Sequence, residues 1–234
     1  MIPAAGRGTR MGGAFSKQYL KLEGRPLLAY SLDTFLALSP CQLVVVVPPG
    51  DEELVRERVL TGITGNSSGI RLVPGGDTRQ DSVYRGVISL PSHIHYICVH
   101  DGARPLVTHH TIAAVLEACR ESGAAFACVP LKDTIKEMDG GGFGIRTPAR
   151  DRYVQVQTPQ IFRRDILVEA LERAREEGFT ATDETALVER YGTRVKGVMG
   201  SYENVKVTTP EDLLLARTIM KGRGSRRDAD RPGL

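Results

Sequence analysis

The segment 43–47, LVVVV, is apolar at every position, as a strand buried on both faces must be. Apolar runs of this kind alternate with helical spacing along the chain. The sequence therefore predicts an α/β fold, a mostly parallel twisted sheet flanked by helices. Pro26 can open a helix whose Leu27, Leu28, Leu32, Phe35 and Leu36 recur on one face. Asp51, Glu52 and Glu53 open the next, where acids suit the N-terminal dipole. Further strands are expected at 70–73, 96–99 and 125–129, and helices at 82–90 and 111–120. In such a fold the loops at the carboxyl ends of the strands collect the ligand site.

The pattern changes over 134–159. Residues 134–138 alternate, 139–142 (DGGG) form a turn, and 153–156 alternate again. This reads as a β-hairpin arm projecting from the sheet, with 134–138 and 153–156 as its two strands. A protruding hairpin with apolar positions suits a subunit interface, so a homodimer through the arm is expected. Helices at 167–175, 182–191 and 210–221 follow, with short strands at 194–198 and near 205–207. Residues 1–221 read as a single domain, and the basic stretch 222–234 as a disordered tail.

The net charge of +3 is too small to call for nucleic acid or a membrane surface as partner. No twenty-residue apolar stretch and no signal peptide stand in the sequence, so a cytoplasmic protein is expected. The 4 cysteines show neither a C-x-x-C pair nor zinc spacing, and the pairs His93/His95 and His109/His110 lack a third ligand nearby.

Chemistry is concentrated first in residues 1–17, MIPAAGRGTRMGGAFSK. Ala4, Ala5, Gly6 and Gly8 let a backbone pass close to a phosphate, because no large side chain blocks the approach. Successive N–H groups in such a turn form a concave anion site. Arg7, Arg10 and Lys17 follow, placed to hold charge that grows on phosphate oxygens. The segment is not a dinucleotide fingerprint, since Met11 stands where the third glycine belongs, and no Walker A run occurs in the chain.

Four further clusters fall at ends of expected elements. Residues 75–82, GGDTRQDS, offer a tight turn and a helix start with free N–H groups, where Asp81 or Ser82 could also act only as a cap. Residues 100–105, HDGARP, place Asp101 at the end of a strand beside Arg104. That arrangement suits Mg²⁺ next to a phosphate, and the bland alternative is an Asp101–Arg104 surface pair. The third cluster joins Asp133, Thr134 and Arg150 to QTPQ at 157–160. The fourth joins TDE at 182–184 to NVKVT at 204–208. There Thr182 or Asp183 could be a helix cap and Lys206 a solvated edge charge.

Together these pieces carry a family likeness. In order, PAAGRGTRM, SKQYL, GGDTRQDSV, HDGARP, KDT, QTPQ, TDE and ENVKVTTPED resemble the 2-C-methyl-D-erythritol 4-phosphate cytidylyltransferases, from Ile2 to about Lys221. The resemblance implies the nucleotide-diphospho-sugar transferase-like, Rossmann-like fold. It also implies CMP transfer from CTP to methylerythritol phosphate with Mg²⁺, in isoprenoid precursor synthesis by the non-mevalonate pathway. Carried over by motif, Pro3, Ala4, Ala5, Gly6 and Gly8 would wrap CTP, with Arg10 and Lys17 on its phosphates and Lys206 on the α-phosphate. Gly76, Asp77 and Ser82 would read cytosine and ribose, and Asp101 would hold Mg²⁺. Arg104, Thr134, Arg150, Thr158 and Thr182 would bind the sugar-alcohol phosphate, Arg150 and Thr182 from across the dimer.

The sequence departs from the family at its start, where only Met1 and Ile2 precede PAAG and a full first strand is usual. This predicts a native start upstream of Met1, which intact-mass analysis checks. Two other functions are open to such a sequence. One is a ribitol-5-phosphate cytidylyltransferase sharing the fold and the CTP loop. The other is a catalytically weak nucleotide-binding protein.

Overall fold

The structure is a computed structural model that describes residues 1–6, 19–38 and 41–229. Its elements in chain order are β1 (Ile2–Pro3), β2 (Lys21–Leu22), β3 (Arg25–Pro26), α1 (Leu27–Leu36), β4 (Leu43–Val47), α2 (Glu52–Arg58), β5 (Ile70–Pro74), α3 (Arg79–Ile88) and β6 (Tyr96–Val99). There follow α4 (His109–Ser122), β7 (Ala124–Pro130), β8 (Glu137–Met138), β9 (Gly144–Arg146), β10 (Val154–Arg163), α5 (Arg164–Glu177), α6 (Glu184–Arg190), β11 (Lys196–Met199) and α7 (Pro210–Ala229).

Strands β1, β4 and β5 form a parallel set in the order β1-β4-β5. A second set runs β11-β7-β10-β6, in which β10 is antiparallel to both neighbours and β11 is parallel to β7. Two hydrogen bonds join the sets: Met1 N to the Cys98 carbonyl at 2.7 Å and His100 N to the Met1 carbonyl at 3.1 Å. That is the slanted pattern of a parallel bridge, so β1 lies at the centre of one continuous, mostly parallel sheet.

Strand alternation sorts the core into two layers. Val45 and Val47 face Leu28, Leu32 and Phe35 of α1 and Ile112 and Val115 of α4. Val44 and Val46 face Val83 and Val87 of α3, Leu167 and Leu171 of α5, and Leu187 of α6. Helices thus cover both faces, which explains why the LVVVV strand carries no polar position.

Three expectations change in the folded chain. The arm is a hairpin, but β8 pairs with β9, Glu137 opposite Arg146, and not with 153–156. The Asp139 carboxylate accepts from Gly141 N and Phe143 N, both at 2.9 Å, so the turn returns the chain at once and the nearest segment closes first. Residues 154–156 instead begin the 10-residue strand β10 and pair with β7, Val154 opposite Pro130. The 205–207 segment is a loop, pinned where Val207 N donates to the Ala103 carbonyl at 2.8 Å. Helix α7 runs to Ala229, beyond the Lys221 boundary drawn from composition.

Candidate active site

Where β1, β4, β5 and β6 end, their loops surround a cleft of about 560 Å³. Pro3, Ala4, Ala5 and Gly6 line one side, Gly76, Asp77, Thr78, Arg79 and Ser82 another, and Asp101, Gly102 and Lys206 its floor. The sequence candidates Gly8, Arg10 and Lys17 lie outside the described residues.

The glycines are there for close approach. A Cβ on Gly75 would stand 2.6 Å from the Ala5 Cβ and 2.8 Å from the Ser82 Oγ, and one on Gly76 would collide with the Asp81 Cβ. The first strand's loop and the start of α3 can therefore converge only because these positions lack side chains. Ser82 is buried; its hydroxyl accepts from Gly76 N at 3.1 Å and donates to the Thr78 carbonyl at 2.9 Å. Neither Asp81 nor Ser82 is the helix cap. Thr78 is, accepting from Asp81 N at 3.0 Å while its hydroxyl donates to the Asp81 carboxylate at 2.8 Å. At α6 the cap is Asp183, on Ala186 N at 2.9 Å.

Asp101 is the electrostatic centre of the cleft. Its Oδ2 is 2.8 Å from Lys206 Nζ and 3.7 Å from Arg104 Nε, and its Oδ1 is 3.9 Å from Arg79 Nη2. With the Asp101 side chain 13% exposed and that of Arg104 10%, this is no surface pair. Burial alone would raise the Asp101 pKa, but Lys206, Arg79 and Arg104 outweigh it and hold the carboxyl at about 2. Lys206 is no edge charge either, since the Val207–Ala103 bond brings its loop against the Asp101 turn.

A buried polar chain sets the orientation of that turn. His100 is fully buried against Phe35, and burial lowers its pKa to about 4, so the ring is neutral. Its Nε2 lies 3.2 Å from the Arg104 carbonyl, which can only accept, so the proton sits on Nε2. Nδ1 is then the acceptor for the Thr158 hydroxyl at 3.0 Å, and the same hydroxyl oxygen accepts from Asp101 N at 3.0 Å. Thr158, expected to touch substrate, is buried, and its hydroxyl ties His100 to the Asp101 backbone. Arg104 is engaged in part: Nη1 donates to the Asn204 carbonyl at 2.7 Å and Nη2 to that of Val156 at 3.4 Å, while its buried Nε, 3.7 Å from Asp101 Oδ2, makes no hydrogen bond. Asn204 in turn donates to the Thr158 carbonyl at 2.8 Å.

Arg79 and Glu184 carry no role in the sequence reading, although both stand inside its motifs. They form a two-pronged pair at 2.6 and 2.9 Å. Burial disfavours the Arg79 charge, and the Glu184 carboxylate more than restores it, raising the guanidinium pKa. Gln80 adds a second tie to the same loop, donating to the Phe179 carbonyl at 2.9 Å and accepting from Ala181 N at 3.0 Å. The remaining sequence candidates are not brought into the cleft. Thr134, Arg150 and Thr182 are exposed and absent from its lining, and Arg150 donates to the Lys132 carbonyl at 2.6 Å.

For a divalent cation the buried donor among the described residues is the Asp101 carboxylate, with Asp77 elsewhere in the lining, and the space beside it has room for phosphate and water. Among the described residues no group of three His, Cys, Asp or Glu side chains converges. A single carboxylate fits Mg²⁺, which takes one or two from protein and completes its shell with phosphate oxygens and water. It does not fit zinc, which needs three or four protein ligands.

Residues 1–222 match the family of 2-C-methyl-D-erythritol 4-phosphate cytidylyltransferases, IspD. The chain belongs to that family. A 2-C-methyl-D-erythritol 4-phosphate cytidylyltransferase of Desulforamulus reducens is 47% identical over 224 residues, covering 95% of each chain. The enzyme of the same name from Pelotomaculum thermopropionicum is 46% identical over 227 residues, 97% of this chain and 95% of its own. Among solved structures, that of the Thermus thermophilus enzyme of this name superposes with a TM-score of 0.77 at 36% identity, covering 94% of this chain and 97% of that one. A 4-diphosphocytidyl-2C-methyl-D-erythritol synthase of Anaerococcus prevotii gives a TM-score of 0.81 at 28% identity, with 94% of both chains covered. The ordered motifs and the family membership agree.

Proposed function

We propose that this protein transfers CMP from CTP to 2-C-methyl-D-erythritol 4-phosphate, giving 4-diphosphocytidyl-2-C-methyl-D-erythritol and pyrophosphate in the non-mevalonate route to isoprenoid precursors. The observation that carries the reading is the Lys206–Asp101 pair on the floor of the glycine-lined cleft, at 2.8 Å, in a chain of this family. An oxygen of the substrate phosphate attacks the α-phosphorus of CTP, the bond from that phosphorus to the bridging oxygen breaks, and pyrophosphate leaves. The attacking phosphate is already anionic near neutral pH, so no general base is needed. His100 could not serve as one, with both ring nitrogens engaged and the ring buried.

Catalysis then rests on alignment and on neutralising crowded anions. Pro3, Ala4, Ala5 and Gly6 present backbone to the triphosphate, and Gly76, Asp77 and the Thr78-capped turn meet the nucleoside. Lys206 carries positive charge to the α-phosphate, joined in this reading by Arg10 and Lys17. Asp101 would hold Mg²⁺, which supplies Lewis-acid polarisation of the phosphates when bound. Thr158 and Arg104 act by positioning Asp101 and the 204–207 loop.

The second substrate needs more than one chain in this reading. Thr134, Arg150 and Thr182 are the sequence candidates for it, and Arg150 and Thr182 of the partner subunit would close the site in a homodimer built through the arm. The exposed Met138, Phe143 and Ile145 of the arm support that assembly. Among the described residues no helix is long and apolar enough to cross a membrane, and charged, membrane-impermeant substrates favour the cytoplasm.

The test is pyrophosphate release from CTP and Mg²⁺ with methylerythritol 4-phosphate, beside ribitol 5-phosphate. Turnover with the first alone is expected. Turnover only with the second would keep the fold and overturn the substrate, and silence with both would make the cleft a nucleotide-binding site without transfer.

A further inference from the structure

The three cations around Asp101 are not equivalent. Arg79 is already paired with Glu184 through both prongs of its guanidinium. Arg104 is tied to the carbonyls of Asn204 and Val156. Both are therefore fixed struts, standing 3.9 and 3.7 Å from the carboxylate. Lys206 is different. It makes the short contact at 2.8 Å, its side chain is 41% exposed to the cleft, and Asp101 is its one ion-pair partner among the described residues. It is also a flexible ammonium with rotatable donors, whereas the other two are planar forks held in place.

Charge counting adds a second constraint. Within this cluster Lys206, Arg79 and Arg104 face the carboxylates of Asp101 and Glu184, with Asp183 acting on the Arg79–Glu184 pair, so the charges already balance before any metal arrives. A divalent cation added to that arrangement would meet three cations in a partly buried site, where repulsion is poorly screened. The same cation arriving with a nucleoside triphosphate brings enough negative charge to reverse the balance, and it gives Lys206 somewhere to go.

We propose that Lys206 and the divalent cation exchange on Asp101. In the empty cleft Lys206 is the counter-ion of Asp101 Oδ2; when the metal–triphosphate complex enters, Asp101 passes to the metal and the released ammonium swings to the phosphates. This rests on the reading of the cleft as a metal–nucleotide site and adds to it a reason for the two ligands to enter together. Lys206 guards the carboxylate against bare cations and becomes available to phosphate only when the carboxylate has been claimed. The exchange assigns Arg79, with Glu184 behind it, as the positioning group that keeps Asp101 in place while Lys206 leaves.

The experiment is titration of the full-length protein with Mn²⁺ alone, followed by loss of the free-ion paramagnetic resonance signal, then repeated with CTP present while the Mn²⁺ retained with the protein on ultrafiltration is measured against a protein-free CTP control. Wild-type protein should take up Mn²⁺ weakly, and CTP should tighten the uptake. Lys206→Met and Lys206→Gln should each tighten nucleotide-free Mn²⁺ binding about tenfold, by removing a competing charge from a partly buried carboxylate. Lys206→Arg, which restores a cation, should return it to the wild-type level. The side chain is exposed to the cleft, so both neutral variants are expected to fold, and a thermal melt verifies it. Unchanged or weaker Mn²⁺ binding in both neutral variants overturns the exchange. Asp101→Asn separates the two ideas. If it abolishes Mn²⁺ binding while the Lys206 variants do nothing, only the exchange fails; if it leaves CTP-dependent binding intact, Asp101 is not the metal ligand and the cleft reading fails with it.

Discussion

The cleft and the arm are built on opposite principles. Around Asp101 polar groups are buried and bonded to one another: His100, Thr158, Asn204 and Gln157 are each 5% exposed or less. The arm exposes what a core would hide, with Phe143 74% and Ile145 60% exposed. Its own ties are surface ones, such as Arg146 to Glu137 at 2.7 Å, which contribute little to stability. A site that must fix one carboxylate to a few tenths of an ångström needs its supporting groups locked inside the chain. The proposed homodimer would give the arm's exposed apolar surface its contact. Changes in the cleft should therefore act within one chain, and changes in the arm only through association.

The largest expected effect is on chemistry. Lys206→Ala should lower turnover by about 10²–10³, as loss of a transition-state donor does, with little change in thermal stability; a loss under threefold would remove Lys206 from the mechanism. Next is a pH effect confined to the cleft's buried support. His100 has a folded pKa of about 4 against 6.5 in the unfolded chain, so below pH 6.5 the unfolded state binds a proton that the folded state refuses. Its contribution is fully present above that pH and is lost as pH falls toward 4, about 3 kcal/mol in all. Chemical denaturation from pH 7 to 4 should show that slope, and His100→Gln should flatten it.

Thr158→Val keeps shape but strands Asp101 N–H and His100 Nδ1. A cost of about 2 kcal/mol in stability and a turnover loss of about tenfold through misaimed Asp101 are expected. Equal stability and turnover would show that the Thr158 chain does not orient the site. The smallest effect belongs to the arm. Phe143→Ser should change single-chain unfolding by under about 0.5 kcal/mol while weakening self-association in sedimentation. A large loss of intrinsic stability would mean that the arm packs on its own domain.

How much of this was legible in the sequence follows the same division. LVVVV, the Gly75-Gly76 turn and HDGARP are local signals, and each stands where its pattern required. Asp101 could be read because it ends a buried strand beside Gly102 and Arg104. The Arg79–Glu184 pair could not, since its members lie 105 residues apart and no local period links them. Thr158 carries a second role that its motif does not show: only the fold reveals its hydroxyl bridging His100 and the Asp101 N–H. The partner of 153–156 was misread because alternation gives a strand without saying which neighbour it joins.

The central claim is that the cleft comes from one chain and the arm's contribution from another. Complementation tests it directly: Lys206→Ala protein, with dead clefts, is mixed and reassociated with Arg150→Ala protein, whose clefts are intact but lack the cross-subunit arginine. Each alone should be nearly inactive, and random reassociation of a dimer should restore about a quarter of wild-type turnover, because half the dimers are mixed and each has one complete site. A mixture no more active than the average of its parents would contradict the account and return Arg150 to its own chain's cleft.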